Sequence, residues 1–129
     1  MFDLNEIKVA HAKIKSGADF PTFIQDLKKL GIKKYITIVK DGHTQYYGEK
    51  DFQIKSKGTY PKLTVANISD KERFKHFLKS HQRGQTDFTT FRNNSAQTGV
   101  EKWVVDIEMM TCTYYDKSNE IMLEEIIRV

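Results

Sequence analysis

The chain has 129 residues, 39% hydrophobic and 29% charged, with a net charge of +4, which is ordinary for one soluble globular domain. It contains no apolar run near the roughly 20 residues that span a bilayer, and its start lacks the basic and apolar regions of a signal peptide. The lone cysteine excludes an intrachain disulfide. These features predict a cytoplasmic protein without membrane contact.

Charge is distributed unevenly along the sequence. Residues 101–129 carry a balance of −4, so the first hundred residues carry +8. This asymmetry would suit self-association or an anionic partner, and it would equally arise from basic helices over an acidic sheet in one molecule.

The first predicted elements are two helices. Asp3 can cap the first, which we expect to end at Gly17, and Pro21 suits the first turn of the second, which ends at Gly31. Each has apolar residues at helical spacing on its inner face. These are Leu4, Ile7, His11 and Ile14, then Phe20, Phe23, Ile24, Leu27 and Leu30.

A change of period to two then predicts strands. Residues 35–39 alternate, and Asp41-Gly42 is a strong hairpin signal that leads into a return strand at 43–47. Another turn leads into a strand at 52–56. One more strand is predicted at 62–68, inserted between two similar halves of the chain.

The second half repeats this order. Ser69 and Glu72 form a capping box that opens a third helix, with Phe74, Phe77, Leu78 and His81 on one face. Asp87 or Thr86 caps a fourth helix, which ends at Gly99. Strands are predicted at 103–108, 111–115 and 121–127.

Two stretches, 19–48 and 87–116, align without a gap at a constant offset of 68 residues. We interpret this as an internal duplication with copies at about 3–56 and 69–128 within a single domain, 1–129. The predicted fold class is α+β, two helix-helix-strand-strand-strand units forming a mostly antiparallel sheet with about four helices packed on it. Eight residues of the first copy have an identical residue 68 positions later: Asp19, Phe20, Thr22, Phe23, Gly31, Lys34, Tyr46 and Tyr47.

The duplication places Met109-Met110 where the first copy has Asp41-Gly42. Methionine is a poor residue for a tight turn. We expect a turn there nonetheless, and the alternative is one long bent strand from 102 to 116.

An enzyme would draw on four candidate catalytic residues. Cys112 is a nucleophile only if a histidine such as His43 or His81 reaches it through space, and it is otherwise a compact buried hydrophobe. Asp106 aligns with Ile38, so we expect a partly buried, paired carboxylate. The sequence has no Walker loop, G-x-G-x-x-G, H-E-x-x-H or G-x-S-x-G motif.

Candidate ligand-binding residues lie where the two copies are expected to meet. His11 and His81 would approach each other across a pseudo-twofold axis, and paired tyrosines put one ring on each sheet face. The alternatives are histidines bonded to backbone carbonyls, a cross-strand aromatic cluster and helix caps. No spacing resembles a metal site, and no cofactor is expected. The candidates are His11, Tyr46, Tyr47, Gln85, Asp87 and Tyr114.

A basic ridge follows the third helix at a spacing of four, formed by Lys71, Lys75, Lys79 and Arg83. Such a ridge can cross a phosphate backbone, and more often it is a solvated helix face. No nucleic-acid recognition motif accompanies it, so nonspecific nucleic-acid binding is the least favoured function.

Several segments along the chain form a distinctive set, namely Gly17-Ala-Asp-Phe-Pro21, Tyr46-Tyr47-Gly48, Gly84-Gln-Thr-Asp87, Val100-Glu-Lys-Trp103 and Met110-Thr-Cys-Thr-Tyr-Tyr-Asp116. With these segments the chain resembles a family of small bacterial and prophage proteins of unknown function labelled "phage envelope protein", domain-of-unknown-function family 1398. The resemblance covers nearly the whole chain and implies a compact α+β fold without an assigned activity. In that family cysteine often stands where this chain has Arg92.

The sequence therefore favours a non-catalytic module that binds a small ligand or a protein, including a second copy of itself. The second hypothesis is a small cytoplasmic enzyme with a cleft between the halves.

Overall fold

The computed structural model describes residues 2–15, 19–58 and 60–128, and within them four helices and six strands are formed. Their order, helix-helix-strand-strand-strand given twice, is the predicted one. The elements are α1 (Leu4–Ala12), α2 (Phe20–Lys29), β1 (Lys34–Ile38), β2 (Thr44–Tyr47), β3 (Gln53–Lys55), α3 (Lys71–Gln82), α4 (Phe88–Gln97), β4 (Val100–Asp106), β5 (Thr111–Asp116) and β6 (Ile121–Ile126).

All six strands join one antiparallel sheet in the order β3-β2-β1-β4-β5-β6. Hairpins connect consecutive strands within each unit, and β1 pairs with β4 at the centre. The predicted α+β fold with four helices and an antiparallel sheet is confirmed.

The strands are arranged symmetrically about a local twofold axis between β1 and β4. Both ends of α4 lie 68 residues after the corresponding ends of α2, the offset of the sequence alignment. In the central strand pair Ile36 lies opposite Val104, its own aligned counterpart. An axis perpendicular to the sheet and passing between these two residues therefore exchanges β1 with β4.

The helices cover one face of the sheet. On β1, β2, β4 and β5 every second residue faces the helices and is buried, and phenylalanines from the helices pack on these residues. Phe23 of α2 contacts Tyr35 with 6.4 Å between ring centroids, and Phe74 of α3 contacts Tyr114 at 4.8 Å. The buried strand residues of this covered face include Tyr35, Thr37, Thr44, Tyr46, Trp103, Val105, Cys112 and Tyr114.

Aspartates begin three of the helices, because a carboxylate accepts the otherwise unpaired amides of the first turn. Asp3 and Asp87 do so as predicted, from Glu6 N–H and Thr90 N–H at 2.8 Å each. The predicted Ser69 capping box is wrong, since Asp70 caps α3 instead.

Ser69 and Asp19, which lie near helix starts, make other contacts. Ser69 Oγ lies 2.7 Å from the Asp116 carboxylate, to which it donates a hydrogen bond. Asp19 makes no side-chain cap bond to α2 and accepts the Lys15 N–H at 2.8 Å.

The predicted strand at 62–68 is wrong. Both hydrogen-bonding edges of β1 are already taken by β2 and β4, so a strand inserted between the units has no free edge there. The segment instead crosses one end of the sheet, where Leu63 N–H donates to Lys40 O and Ala66 N–H donates to Ala96 O, both at 2.8 Å.

The first helix is shorter than predicted. It ends at Ala12, with Lys13 as its C-cap, and the predicted terminator Gly17 lies outside the described residues. His11, predicted on the inner face, is exposed, and its ring lies perpendicular to that of Phe23 with 5.5 Å between the centroids.

The predicted turn at Met109-Met110 is confirmed. Met110 adopts a left-handed backbone with φ +55°, a conformation that costs a side chain energy. The Asp106 carboxylate accepts the Met109 N–H at 2.9 Å and thereby closes the turn. In the other hairpin Gly42 takes φ +75° without that cost.

Candidate functional site

The sheet face opposite the helices, here called the open face, is covered by no described helix. Paired residues on adjacent strands project from the same face, so the strand register defines its composition. Its central row contains the local twofold axis and runs across all six strands. This row is Lys55, Gln45, Ile36, Val104, Thr113 and Glu124.

Two further rows flank the central row. The row on one side, here the Lys34 row, is Gln53, Tyr47, Lys34, Asp106, Thr111 and Ile126. The row on the other side, here the Lys102 row, is Ile38, Lys102, Tyr115 and Ile121. Except for Thr113, each of the sixteen residues is at least partly exposed.

The open face exposes unusually large apolar side chains for a solvated sheet. Ile126 and Ile121 on edge strand β6 are 69% and 51% exposed. Ile36, Ile38 and Val104 add a partly exposed aliphatic centre. Ile36, Ile38 and Val104 are neighbours in the register, and a cluster of exposed apolar side chains marks an interaction surface more often than single ones do.

Lysine–tyrosine pairs repeat on the open face under the local twofold axis. Lys34 Nζ lies 5.1 Å from the Tyr47 ring centroid, and Lys102 Nζ lies 5.3 Å from that of Tyr115. Such contacts hold a cation over an aromatic face. As predicted, each tyrosine pair places one ring on each face, with Tyr46 buried in the core and Tyr47 on the open face.

The two ends of the central row carry opposite charges. Lys55 on β3 is exposed at one end, and Glu124 on β6 is exposed at the other. Thr113 Oγ1 donates to Glu124 Oε2 at 2.8 Å, which fixes the carboxylate along the row. In the Lys34 row, Lys34 and Asp106 repeat the same polarity on either side of the centre.

An aspartate–histidine pair occupies the β1–β2 turn. His43 Nδ1 lies 2.5 Å from Asp41 Oδ1, and the same oxygen accepts the His43 N–H at 3.0 Å. Partial burial raises the pKa of Asp41, but the hydrogen bonds from His43 outweigh it and leave that pKa below its usual value. A carboxylate that orients an imidazole is one part of many acid–base sites.

We expect Asp41→Ala to destabilise the protein at neutral pH and much less in acid. The folded-state pKa of Asp41 is depressed, so its contribution is present above the unfolded value of 3.8 and is lost as the pH falls through the folded pKa. Urea unfolding of both proteins between about pH 7 and about pH 2 measures the difference in free energy. Glu49→Ala is the matched control, and a difference that grew in acid would contradict the expectation.

The other catalytic candidates are not brought to His43. Antiparallel pairing of β1 and β4 puts the turn after β1 and the turn after β4 at opposite ends of the sheet, so His43 and Asp106 are far apart. His81 Nδ1 lies 3.1 Å from Thr86 O, and its ring stacks on Phe91 with centroids 4.4 Å apart. Burial lowers the pKa of His81.

The ligand-binding candidates near the helices do not converge on a cleft. His11 contacts Phe23 and His81 contacts Phe91, so each imidazole meets the phenylalanine of its own unit rather than the other imidazole. Gln85 is exposed in the α3–α4 turn.

Cys112 lies on the covered face and is 4% exposed. Burial raises the pKa of its thiol to about 12. Burial also raises the pKa of Tyr114 next to it. A thiol in this environment stays protonated at neutral pH and is a poor nucleophile.

Iodoacetamide is expected to label Cys112 at least about 100-fold more slowly in the native protein than in the unfolded chain, because both burial and protonation suppress the reaction. Mass spectrometry of samples quenched over time, at pH 8 with and without guanidinium chloride, measures the ratio. Equal rates in the two states would contradict the buried position.

Arg92 was not among the sequence candidates for a site, yet its side chain is 1% exposed. Nε donates to Val39 O at 2.8 Å, and Nη2 donates to Lys40 O at 2.9 Å and to Pro61 O. The guanidinium also lies 5.3 Å from the Tyr60 ring centroid. Its aligned counterpart Ile24 is fully buried, and this was the sequence signal that position 92 is internal.

A surface cavity of about 250 Å³ lies at the end of the sheet crossed by 62–68, and pockets for small ligands usually exceed about 300 Å³. It is lined by Lys40, Leu63, Thr64, Val65, Glu101 and Lys117. Within the described ranges no three metal-ligating side chains cluster. No described helix is long and apolar enough to cross a membrane.

The predicted basic ridge lies along the outer side of α3. Lys71, Lys75, Lys79 and Arg83 are all exposed, as expected of a solvated helix face. Thus the ridge and the open face belong to different sides of the molecule.

Comparison with known proteins identifies a family whose description names no activity. The model of the family described as "Protein of unknown function (DUF1398)" matches residues 8–126. "Uncharacterized protein Mb2035" of Mycobacterium bovis and "Uncharacterized protein Rv2012" of Mycobacterium tuberculosis are each 38% identical over 47 residues. That match covers 36% of this chain and only 29% of each relative.

Proposed function

Since the chain belongs to the family "Protein of unknown function (DUF1398)", which brings no activity with it, we propose a function from the open face. The protein is a non-catalytic protein-binding module, and the open face is its binding surface. The observation that carries this proposal is the aliphatic centre of that face, Ile36, Ile38 and Val104, which no described helix covers.

The chemistry of the face supports a protein partner over a small ligand. It spans six strands, and none of its residues lines the cavity of about 250 Å³, whereas small ligands need a concave pocket that buries most of their surface. Its centre is apolar and its ends are charged, as is common in protein interfaces. Aromatic rings held under lysines, at Tyr47 and Tyr115, add the residue types that anchor such interfaces.

An enzyme remains the second candidate function, favoured by the pair of His43 and Asp41. This pair would act as a general base on a substrate bound at the β1–β2 turn. The buried, protonated thiol of Cys112 gives it no nucleophile. A binding module requires neither, so it is the better supported function.

The proposal also includes the origin of the chain by duplication, its compartment and its association with prophages. The constant offset of 68 between the helices supports an origin by duplication of one unit. A free, buried Cys112 suits the reducing cytoplasm. An association with prophages follows from the family likeness alone.

Photo-crosslinking in the producing cell tests the proposal. A benzoylphenylalanine at Gln45, on the central row, is expected to give crosslinked protein adducts on irradiation. The matched control places the same residue at Lys75, exposed on α3. Adducts from Gln45 well above those from Lys75 support the open face as the binding surface. Equal or absent adducts from Gln45 would overturn it.

A further inference from the structure

We propose that the partner of the open face is a second copy of this chain, packed face to face about a twofold axis that runs parallel to the strands. This inference rests on the proposed function, because it uses the same surface. It adds the identity of the partner and the register of the contact.

The rows of the open face complement themselves under this rotation. A twofold axis parallel to the strands, lying between two stacked sheets, reverses the strand order and leaves each row at its own height. Each Ile36 then lies over the partner's Val104, next to the axis, where the usual angle of about 30° between packed sheets displaces residues least. The aliphatic centres of both faces are thereby buried against each other.

Opposite charges of the two copies also lie over each other. Lys55 of one copy lies over Glu124 of the other, and this contact occurs twice. Lys34 likewise lies over Asp106 of the other copy. The long side chains of lysine and glutamate can follow the displacement that the angle between the sheets causes at the ends of the rows.

The charge pattern also selects the axis. With a twofold axis perpendicular to the strands, Lys55 would lie over Lys55 and Glu124 over Glu124, which repel. That arrangement gains only the contact between Asp106 and Lys102, which also occurs twice. The parallel axis gives four opposite-charge contacts and no like-charge contact among these residues. The charge of +8 in residues 1–100 and of −4 in residues 101–129 agrees with this pairing of opposite charges.

The area approaches that of a standard interface. Six strands about 4.8 Å apart, with three to seven residues each at about 3.4 Å per residue, give a flat area on the order of 500 Å². Side-chain relief increases the accessible surface beyond this figure, and a standard interface buries about 800 Å² per partner.

A charge-swap experiment on the purified full chain tests the register. Lys55→Glu and Glu124→Lys are made singly, together in one chain, and as a mixture of the two single variants. Sedimentation equilibrium measures the dissociation constant of each dimer, and circular dichroism with thermal unfolding checks that every variant is folded.

Each single variant creates two like-charge contacts in its own dimer, so its dissociation constant is expected to rise at least about 10-fold. The double variant and the mixture restore opposite charges at both contacts, and we expect both to recover to within about 3-fold of the wild type. Single variants that dimerise as well as the wild type would overturn the proposed register. Single variants that dimerise as well as the wild type, together with a mixed dimer of Lys55→Glu and Glu124→Lys that is tighter than the wild-type dimer, would overturn it in favour of the perpendicular axis.

The two proposals fail separately. A wild-type chain that is monomeric when purified, yet gives crosslinks from Gln45 to another protein in the cell, removes the second copy and leaves the binding module. A monomeric chain without such crosslinks removes both.

Discussion

Replacing Arg92 with methionine is expected to lower the free energy of unfolding by about 3 kcal/mol, since a buried acceptor without a donor costs about 1–3 kcal/mol. The carbonyls of Val39 and Pro61 lose the guanidinium, while Lys40 O keeps the Leu63 N–H. The guanidinium joins α4 to the β1–β2 turn and to the crossing segment. Urea unfolding followed by circular dichroism measures the change.

Two further variants control this prediction. Arg92→Lys keeps the charge but not the planar fork of donors, so we expect an intermediate loss of stability. Arg83→Met changes the same residue type at the exposed end of α3 and is expected to cost no more than about 0.5 kcal/mol. An Arg92→Met protein as stable as the wild type would show that the buried fork contributes nothing net.

A second large effect is expected for Phe74→Ala, because this ring is fully buried where α3 meets α4 and the sheet. Its ring centroid lies 5.9 Å from that of Phe91 and 4.8 Å from that of Tyr114. Removing a buried phenylalanine ring costs about 3–5 kcal/mol through lost burial and the cavity that remains. Chemical unfolding measures the loss.

Phe77→Ala is the matched control on the same helix. Phe77 is half-buried and its ring lies 5.5 Å from the Arg73 guanidinium, so we expect a loss of about 1 kcal/mol. Equal losses for the two variants would mean that α3 does not dock through Phe74.

Local pattern was enough to predict most of the fold. The helical spacing of Phe23, Ile24 and Leu27 and the turn at Asp41-Gly42 are short-range signals, and the structure follows them. The offset of 68 residues carried these assignments into the second half, where α4 shows a weaker apolar stripe. A local preference repeated in two places is stronger evidence than either alone.

Strand order was not predictable from local pattern. The segment at 62–68 has the composition of a strand, but whether it pairs depends on which sheet edges are free. That in turn depends on the pairing of β1 with β4, residues separated by more than sixty positions. The same pairing creates the open face, because it sets Ile36 beside Val104.

The burial of Arg92 could not be predicted from the sequence for a different reason. The charge of its side chain argued against burial, although the counterpart Ile24 lies in the core. Three backbone carbonyls compensate its desolvation, and their convergence depends on the path of the crossing segment. No pattern within α4 itself contains that information.

The most direct test of the central claim is the mass of the chain in solution, measured by sedimentation equilibrium over a range of concentrations for the wild type and for Ile36→Asp. If the open face joins two copies, the wild type approaches twice its chain mass of 15.1 kDa. The aspartate variant, which puts a charge at the centre of the face, stays folded and monomeric. A wild type that remains at the single-chain mass throughout, or a variant that associates equally well, would contradict the claim.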